Sequence, residues 1–355
     1  MIRRLREAGL QSGVALAAVL LALAAGGLVI LANGHNPLRV YRELFANTLG
    51  KPIYLGGVIF KATTLAFTGV AAAFAFRAGI FNIGGEGQLY MGAFACALAG
   101  LALPAATPAP VAVPLLALAA AAGGALAAAP PAILKATRGT HEVINTLMMN
   151  FVLFSVIHWL LAMVAVERTS HTPAVLDAGR LPLLSAFAKS MLGSQGNLSG
   201  LFAVAACSTV AYLFARTRLG YELRAVGANR TAAQYGGVSI RRMTLVSLLG
   251  SGALAGLGGT NLVLGSSHGY FEAGFSSGQG YLGIAVALLA RNNAFAVLPA
   301  AFLFAVLSEG GQVFQRYATK ELGEILQALV IVLVVVSAKF FEGAVARFQR
   351  SPADA

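Results

Sequence analysis

The sequence predicts an all-α polytopic membrane protein, with about ten transmembrane helices and both termini on the cytoplasmic side. Three observations carry this expectation. Hydrophobic residues make up 58% of the 355 positions and charged residues only 11%, where a soluble domain carries about 25% charged residues. Apolar runs recur along the chain, parted by short connectors that hold the glycines, prolines and charges. The net charge of +12 is scattered through those connectors and is not gathered into one basic patch with aromatics, which speaks for membrane topology and against a nucleic-acid partner. Cys96 and Cys207 lie within apolar runs, and the five histidines show no metal-ligand spacing. Neither a disulfide framework nor a metal site is expected.

Taken in order, the chain opens with Arg3, Arg4 and Arg6 ahead of an apolar run from Val14 to Ala32. A basic start before an apolar stretch also describes a cleaved signal peptide. This run is long for a signal core and further spans follow, so it is read as a retained first span. The next spans are Ile53 to Phe76 and Leu89 to Leu103, then a proline-rich turn and a fourth span, Val111 to Ala129, built of Ala, Leu and Gly. Small residues let helix backbones approach closely, which suits the interior of a bundle. This span is expected to end at Pro130-Pro131. The fifth span is Val143 to Val166. A polar loop, Glu167 to Asn197, is expected to hold a short surface helix, and the sixth span is Leu201 to Ala215. After a basic stretch come Met243 to Leu264, Gly274 to Ala290, Ala294 to Val313 and Ile325 to Phe341. The apolar part of the eighth starts only at Tyr281, so it is expected to reach back through the glycines as a broken helix. All 355 residues are read as one transmembrane domain.

With the N-terminus inside, sixteen of the 25 Lys and Arg fall in cytoplasmic loops and tails and eight outside. That bias agrees with the orientation. A weak internal echo is also present. Phe76-Arg77-Ala78-Gly79 precedes GQLYMG (Gly87–Gly92), and Phe271-Glu272-Ala273-Gly274 precedes GQGYLG (Gly278–Gly283). On this count the two copies face opposite sides of the membrane, as an inverted repeat of five helices would place them. Glycine-rich segments also match by chance.

The stretch Arg216–Arg242 differs from everything around it, with six arginines and a single acid, Glu222. Its pattern predicts a helical run from Tyr221 to Val226 broken at Gly227, then a second from Thr231 to Tyr235 broken at Gly236-Gly237. Such a segment belongs on the cytoplasmic face. A compact helix-turn there suits docking onto another protein; a plain basic loop is the alternative.

Polar groups gather in two further places. Asn82, Glu86 and Gln88 stand at a glycine-rich break between two spans. An ionised residue at membrane depth is costly, so this is either a structured turn beside a pathway or an ordinary interfacial loop. Thr140 and Glu142 open the fifth span, as cap and first-turn acid. Asn145 and Asn150 lie on its apolar helix, where they either bond to other helices or line a polar route.

Four strings are similar to a known family. LGYELRAVGANRTAAQYGG (Leu219–Gly237) resembles the cytoplasmic coupling loop of ABC-importer permeases of the branched-chain amino acid, simple sugar and nucleoside group. FRAGIFNIGGEGQ (Phe76–Gln88) and EVINTLMMN (Glu142–Asn150) resemble signatures of the nucleoside and simple-sugar members, as does GFSSGQGYLGIAVALLARNN (Gly274–Asn293). The resemblance implies a nucleoside permease, with simple sugars or branched-chain amino acids as alternatives. It implies ATPase-coupling roles for Gly220, Glu222, Arg224, Ala225, Gly227, Asn229, Ala232, Ala233 and Gly236. It implies structural or gating roles, more than substrate contact, for Asn82, Glu86, Gln88, Glu142, Asn145, Asn150 and Gln279. The implied partners are a separate ABC ATPase, a second permease chain and an extracellular or periplasmic solute-binding protein, in a bacterial inner membrane.

No GxxxxGK[ST] occurs, since the one Gly-Lys pair, Gly50-Lys51, is followed by Pro52. ATP is therefore expected on a partner, with no cofactor and no catalytic residue in this chain. Two other classes compete. An ion-coupled secondary transporter needs acids within helices, of which Glu309 is the clearest. An intramembrane enzyme would need a nucleophile or metal constellation, and no GxSxG or HExxH is present.

Overall fold

The computed structural model describes residues 20–21, 23–32, 34–276, 278–314, 328 and 332. The basic N-terminus, the tenth expected span (two single positions apart) and the C-terminal tail lie outside these residues. Among the described residues every element is helical, and β-pairing is limited to two isolated bridges. The chain divides into two compact units: Met1–Lys51 with Val306–Ala355, and Pro52–Ala305.

In the first unit, α1 (Leu23–Ala32) precedes the amphipathic α2 (Pro37–Thr48). Asn36 caps α2 by accepting from the Leu38 amide at 3.0 Å, and Pro37 sits where a missing N–H costs nothing. Val40, Leu44 and Thr48, four residues apart, form its buried stripe. The Tyr41 hydroxyl donates to the Leu23 carbonyl at 2.7 Å.

The second unit holds α3 (Pro52–Arg77), α4 (Gly85–Ala102), α5 (Ala109–Arg138), α6 (Glu142–Val164), α7 (Ser199–Arg216), α8 (Arg218–Ala228), α9 (Arg230–Tyr235), α10 (Ile240–Val263) and α11 (Gln279–Leu289), and the start of α12 (Val297–Phe314). Among the described residues five helices are long and apolar enough to cross a membrane: α3, α5, α6, α7 and α10. Of their apolar windows, 78% of α3 and 61% of α10 are buried, against 22% of α6 and 28% of α7. So α3 and α10 form the centre, and α6 and α7 present apolar side chains outward. Polar-inside, apolar-outside chemistry of this kind is what a lipid solvent selects.

Small residues bring α4, α5 and α10 together. A methyl group on Gly252 would lie 2.6 Å from the Ala128 side chain and press on the backbone of Gly124, and one on Gly256 would lie 2.8 Å from the Gly124 Cα. No larger side chain fits this crossing.

Helix α10 rises about 36 Å over its 24 residues. It separates two ends of the unit. At its Ile240 end lie α8 and α9. At its Val263 end the segments 166–183 and 264–273 are laced by backbone bonds, among them Leu181 to Leu264 (2.8 Å), Val175 to Gly269 (2.7 Å) and Thr172 to Phe271 (2.9 Å).

Several element ends differ from the sequence pattern. Helix α5 does not stop at Pro130-Pro131 but runs on to Arg138. Ala132, beyond the prolines, is buried with Ile80 and Leu248, and Gly139 ends the helix in the left-handed region (φ 66°) with its N–H on the Lys135 carbonyl. Packing thus outweighs the two lost amide donors. The loop after α6 holds three single 3₁₀ turns, Asp177–Gly179, Leu184–Ala186 and Lys189–Met191, and no α-helix; Pro173 and Pro182 interrupt any longer run. Helix α11 starts at Gln279 and does not reach back to Gly274, because Gly274 (φ 85°) and Gly278 (φ 82°) are both left-handed.

Candidate functional site

Two polar constructions stand out. The first is the elbow α8–Asn229–α9. Thr217 starts α8, accepting from the Gly220 amide at 3.1 Å. The bend falls at Asn229, not at Gly227, which lies inside α8. Asn229 ends one helix, its N–H on the Ala225 carbonyl at 3.0 Å, and begins the next, its Oδ1 accepting from the Ala232 amide at 3.0 Å. One extended residue that caps both ways makes a rigid corner. Gly236 closes α9, followed by the left-handed Gly237 (φ 82°).

The inward face of the elbow is Gly220, Leu223, Val226 and Ala233. Gly220 rests on the Leu213 carbonyl and the Phe214 backbone. Gly227 lies against the Arg77 carbonyl so closely that no side chain fits between them. The outward face carries Arg218, Arg224 and Arg230, with Tyr221 (63% exposed) and Tyr235 (90%), and the other three arginines of the stretch, Arg216 on α7 and Arg241 and Arg242 on α10, are also exposed. Glu222 is paired with Arg218 at 2.8 Å, and Arg224 Nε donates to the Gly220 carbonyl at 3.3 Å. The sequence reading passed over the two tyrosines, although an aromatic on each side of a polar bend is a visible signal for a contact surface.

The second construction is a buried lock where α4, α6, α10 and α11 meet. Glu86, in the first turn of α4, is 3% exposed. Its carboxylate accepts from the Ser276 hydroxyl, from the Gly278 amide at 3.0 Å and from the Gly280 amide at 2.5 Å. One acid therefore lies at the positive ends of two helices, its own and α11. Asn82 exchanges bonds with Gln88 (2.9 and 3.2 Å), donates to Ser251 Oγ at 2.9 Å and accepts from the Gly84 amide at 2.9 Å. Asn150 accepts from the Gly87 amide at 3.0 Å and donates to the Ile83 carbonyl (3.1 Å) and the Tyr281 hydroxyl (3.0 Å). Interhelical bonding is thus the observed role of Asn150. The two GQ-Y-G copies meet inside the bundle and do not sit on opposite faces. From that meeting point α4 runs toward the Val263 end of α10 and α11 runs toward the elbow.

The remaining expected residues are less central. Asn145 donates to the Thr140 hydroxyl. Thr140 does not cap α6, since His141 holds the cap position without a side-chain bond. Glu142 pairs with Lys135 at 2.7 Å across the α5–α6 turn. The Gln279 carbonyl accepts from Thr68 Oγ1 at 3.1 Å, while its side-chain Oε1 is buried with no hydrogen-bond partner. A further buried cluster escaped the sequence reading. Asn261 on α10 donates to Thr64 Oγ1 (2.7 Å) and the Phe60 carbonyl (2.8 Å), and accepts from Asn197 at 2.9 Å. Among the described residues no group of three or more His, Cys, Asp or Glu stands together as metal ligands would.

Comparison with known proteins places this arrangement. A family described as "Branched-chain amino acid transport system / permease component" matches residues 54–335. The guanosine ABC transporter permease protein NupP of Bacillus subtilis is 36% identical over 327 residues, covering 91% of this chain and 93% of that protein. The glucose ABC transporter permease protein TsgB13 of Haloferax volcanii is 36% identical over 351 residues, 96% and 91% of the two chains. The nucleoside ABC transporter permease protein NupB of Lactococcus lactis is 32% identical over 302 residues, 84% and 83%. No solved structure matches. With elbow, lock and apolar helices all inside the matched span, the chain belongs to the branched-chain amino acid transport system permease family, the membrane-spanning transport components of ABC transporters.

Proposed function

We propose that this chain is the permease subunit of an ABC importer that carries a nucleoside across a bacterial inner membrane, with both termini inside and about ten crossings. The observation that carries the reading is the elbow, a doubly capped, arginine-lined corner at one end of the long helices, with two exposed tyrosines on its outer face. An ATPase subunit that holds the ATP docks there, a second permease chain completes the pathway, and a solute-binding protein delivers nucleoside at the laced end. The nucleoside assignment rests on two relatives named for guanosine and nucleoside transport. A simple sugar is the second reading, favoured by the relative named for glucose.

The elbow carries the coupling residues named above, and the lock (Asn82, Glu86, Gln88, Asn150) acts as a gate component. The meeting of α4 and α11, which leave in opposite directions, supports an inverted pair of broken helices. Ion-coupled transport draws less support, because the chain belongs to an ABC permease family and the buried Glu86 is committed to protein donors. The test is uptake of labelled guanosine by cells with and without the chain. Uptake should vanish on deletion and return on complementation; uptake that persists unchanged overturns the reading, and glucose uptake that follows the chain instead selects the second.

A further inference from the structure

Helix α11 has 11 residues and spans about 16 Å, roughly half the hydrocarbon thickness of a bilayer. It is entered through two left-handed glycines and left through two successive left-handed non-glycine residues, Arg291 (φ 52°) and Asn292 (φ 58°). One short segment of the chain holds it at both ends. Glu86 takes the donors at its N-terminal end. Arg77 Nε donates to the Asn292 carbonyl at 2.8 Å, just past its C-terminal end. Arg77 is also where the elbow makes contact. Its carbonyl faces Gly227, a Cβ on Gly79 would lie 3.1 Å from the Gly227 Cα, and its guanidinium stands 5.4 Å from the Phe214 ring centroid. Between the two grips α11 packs against α3 through glycines, Gly283 on Thr68 and Gly69 on Val286. Each contact seats one side chain, Thr68 or Val286, on a glycine of the facing helix.

We propose that Arg77–Glu86 is the lever that carries movement of the elbow to α11, and that α11 is the element that moves to open or close the pathway. The argument rests on the importer reading above and deepens it by assigning the transmitting residues. Arg77 and Glu86 are positioning residues that act through α11, by their bonds to the Asn292 carbonyl and to Ser276, Gly278 and Gly280. The segment is suited to this because its ends are fixed to α11 by charged groups while its middle, residues 78–84, is non-helical. A shift of Gly227 displaces Arg77, and α11 follows at both ends.

The test uses the complete complex, this chain with its ATPase, permease and binding-protein partners, reconstituted in liposomes. Cys96 and Cys207, both buried, are replaced by Ala, and Leu282→Cys on the half-buried face of α11 is labelled with a maleimide. Labelling should differ between the nucleotide-free and the vanadate-trapped states, and Arg77→Gln should abolish the difference. In Arg77→Gln, solute moved per ATP should fall about fivefold or more, the scale of an ordinary coupling free energy, while ATP hydrolysis continues. Arg77→Lys, which keeps a donor, should restore part of the loss. A purely structural role would lower assembly and hydrolysis together and leave the ratio unchanged. Identical labelling in the two nucleotide states overturns the proposal even if Arg77→Gln cannot be assembled. The labelling needs only the ATP cycle, so it is independent of the solute; failure of guanosine uptake by the unaltered complex would count against the importer reading instead.

Discussion

The elbow and the lock are both polar constructions in an oily chain, yet they satisfy their polar groups in opposite ways. Bonds in the elbow are local: Thr217 to Gly220, Asn229 to Ala232 and Arg218 to Glu222 lie three or four residues apart, and its arginines face outward. The lock adds remote bonds to its local ones. Glu86 reaches donors 190 to 194 positions away, and Asn82 reaches Ser251 across 169. Water can take over any bond the elbow loses, whereas nothing replaces one lost inside the lock. The elbow is therefore built to tolerate change and to offer surface, and the lock to hold a geometry.

The largest expected effect follows from that contrast. Glu86→Ala leaves the Ser276 hydroxyl and the Gly278 and Gly280 amides without their acceptor. Each orphaned buried donor costs about 1–3 kcal/mol, so the total is on the order of 3 kcal/mol or more. Detergent-solubilised protein should lose its monodisperse peak at a clearly lower temperature than the parent in size-exclusion melts. A melt unchanged from the parent would mean that the three donors find other acceptors, and the contrast would fail.

Tyr235→Ala tests the opposite side. At 90% exposure the ring contributes little to the fold, and the melting profile should stay within about 0.5 kcal/mol of the parent. If the outer face binds the ATPase, truncating a central aromatic should cost about 2 kcal/mol of association. ATPase copurification at fixed salt measures it. Full retention of the partner would shift docking to the arginines alone.

The same contrast explains what could be read from one sequence. All-helical class, the elbow and the neighbourhoods of Glu86 and Asn150 were legible, because apolar runs, clustered arginines and glycine punctuation are local signals. The partner of Glu86 was not. The internal echo drew attention to Gly278–Gly283, but charge and spacing cannot say that two distant motifs touch, and counting crossings put them on opposite faces. Element ends failed where packing or capping overruled propensity. Helix α5 passes through Pro130-Pro131 because Ala132 is buried beyond them. The elbow bends at Asn229, whose side chain caps, while Gly227 is spent on closeness to Arg77.

A smaller effect isolates the corner itself. In Asn229→Ala, α9 loses its side-chain cap, which costs about 1 kcal/mol. Because α9 has only six residues, the loss should appear there alone. Hydrogen exchange at Ala232 to Gly236 should quicken, with α10 unaffected and the global melt barely moved. Equal protection throughout would show that burial of Ala233, and not the cap, fixes α9.

The smallest effect is expected at the Arg218–Glu222 pair. Its geometry is good, 2.8 Å at i,i+4 spacing, but the arginine side chain is 91% exposed. Exposed helix pairs contribute about 0.3–0.5 kcal/mol, and salt screens them. Arg218→Ala should therefore leave the fold unchanged within error. Its effect on the ATPase should instead depend on ionic strength, because removing one of the three outward cations of the elbow weakens long-range attraction more than any single contact. Copurification measured at low and high salt should show a deficit for the variant that shrinks as salt rises. A deficit that is the same at both would place Arg218 in a dry, direct contact with the partner, and would make this part of the elbow behave like the lock.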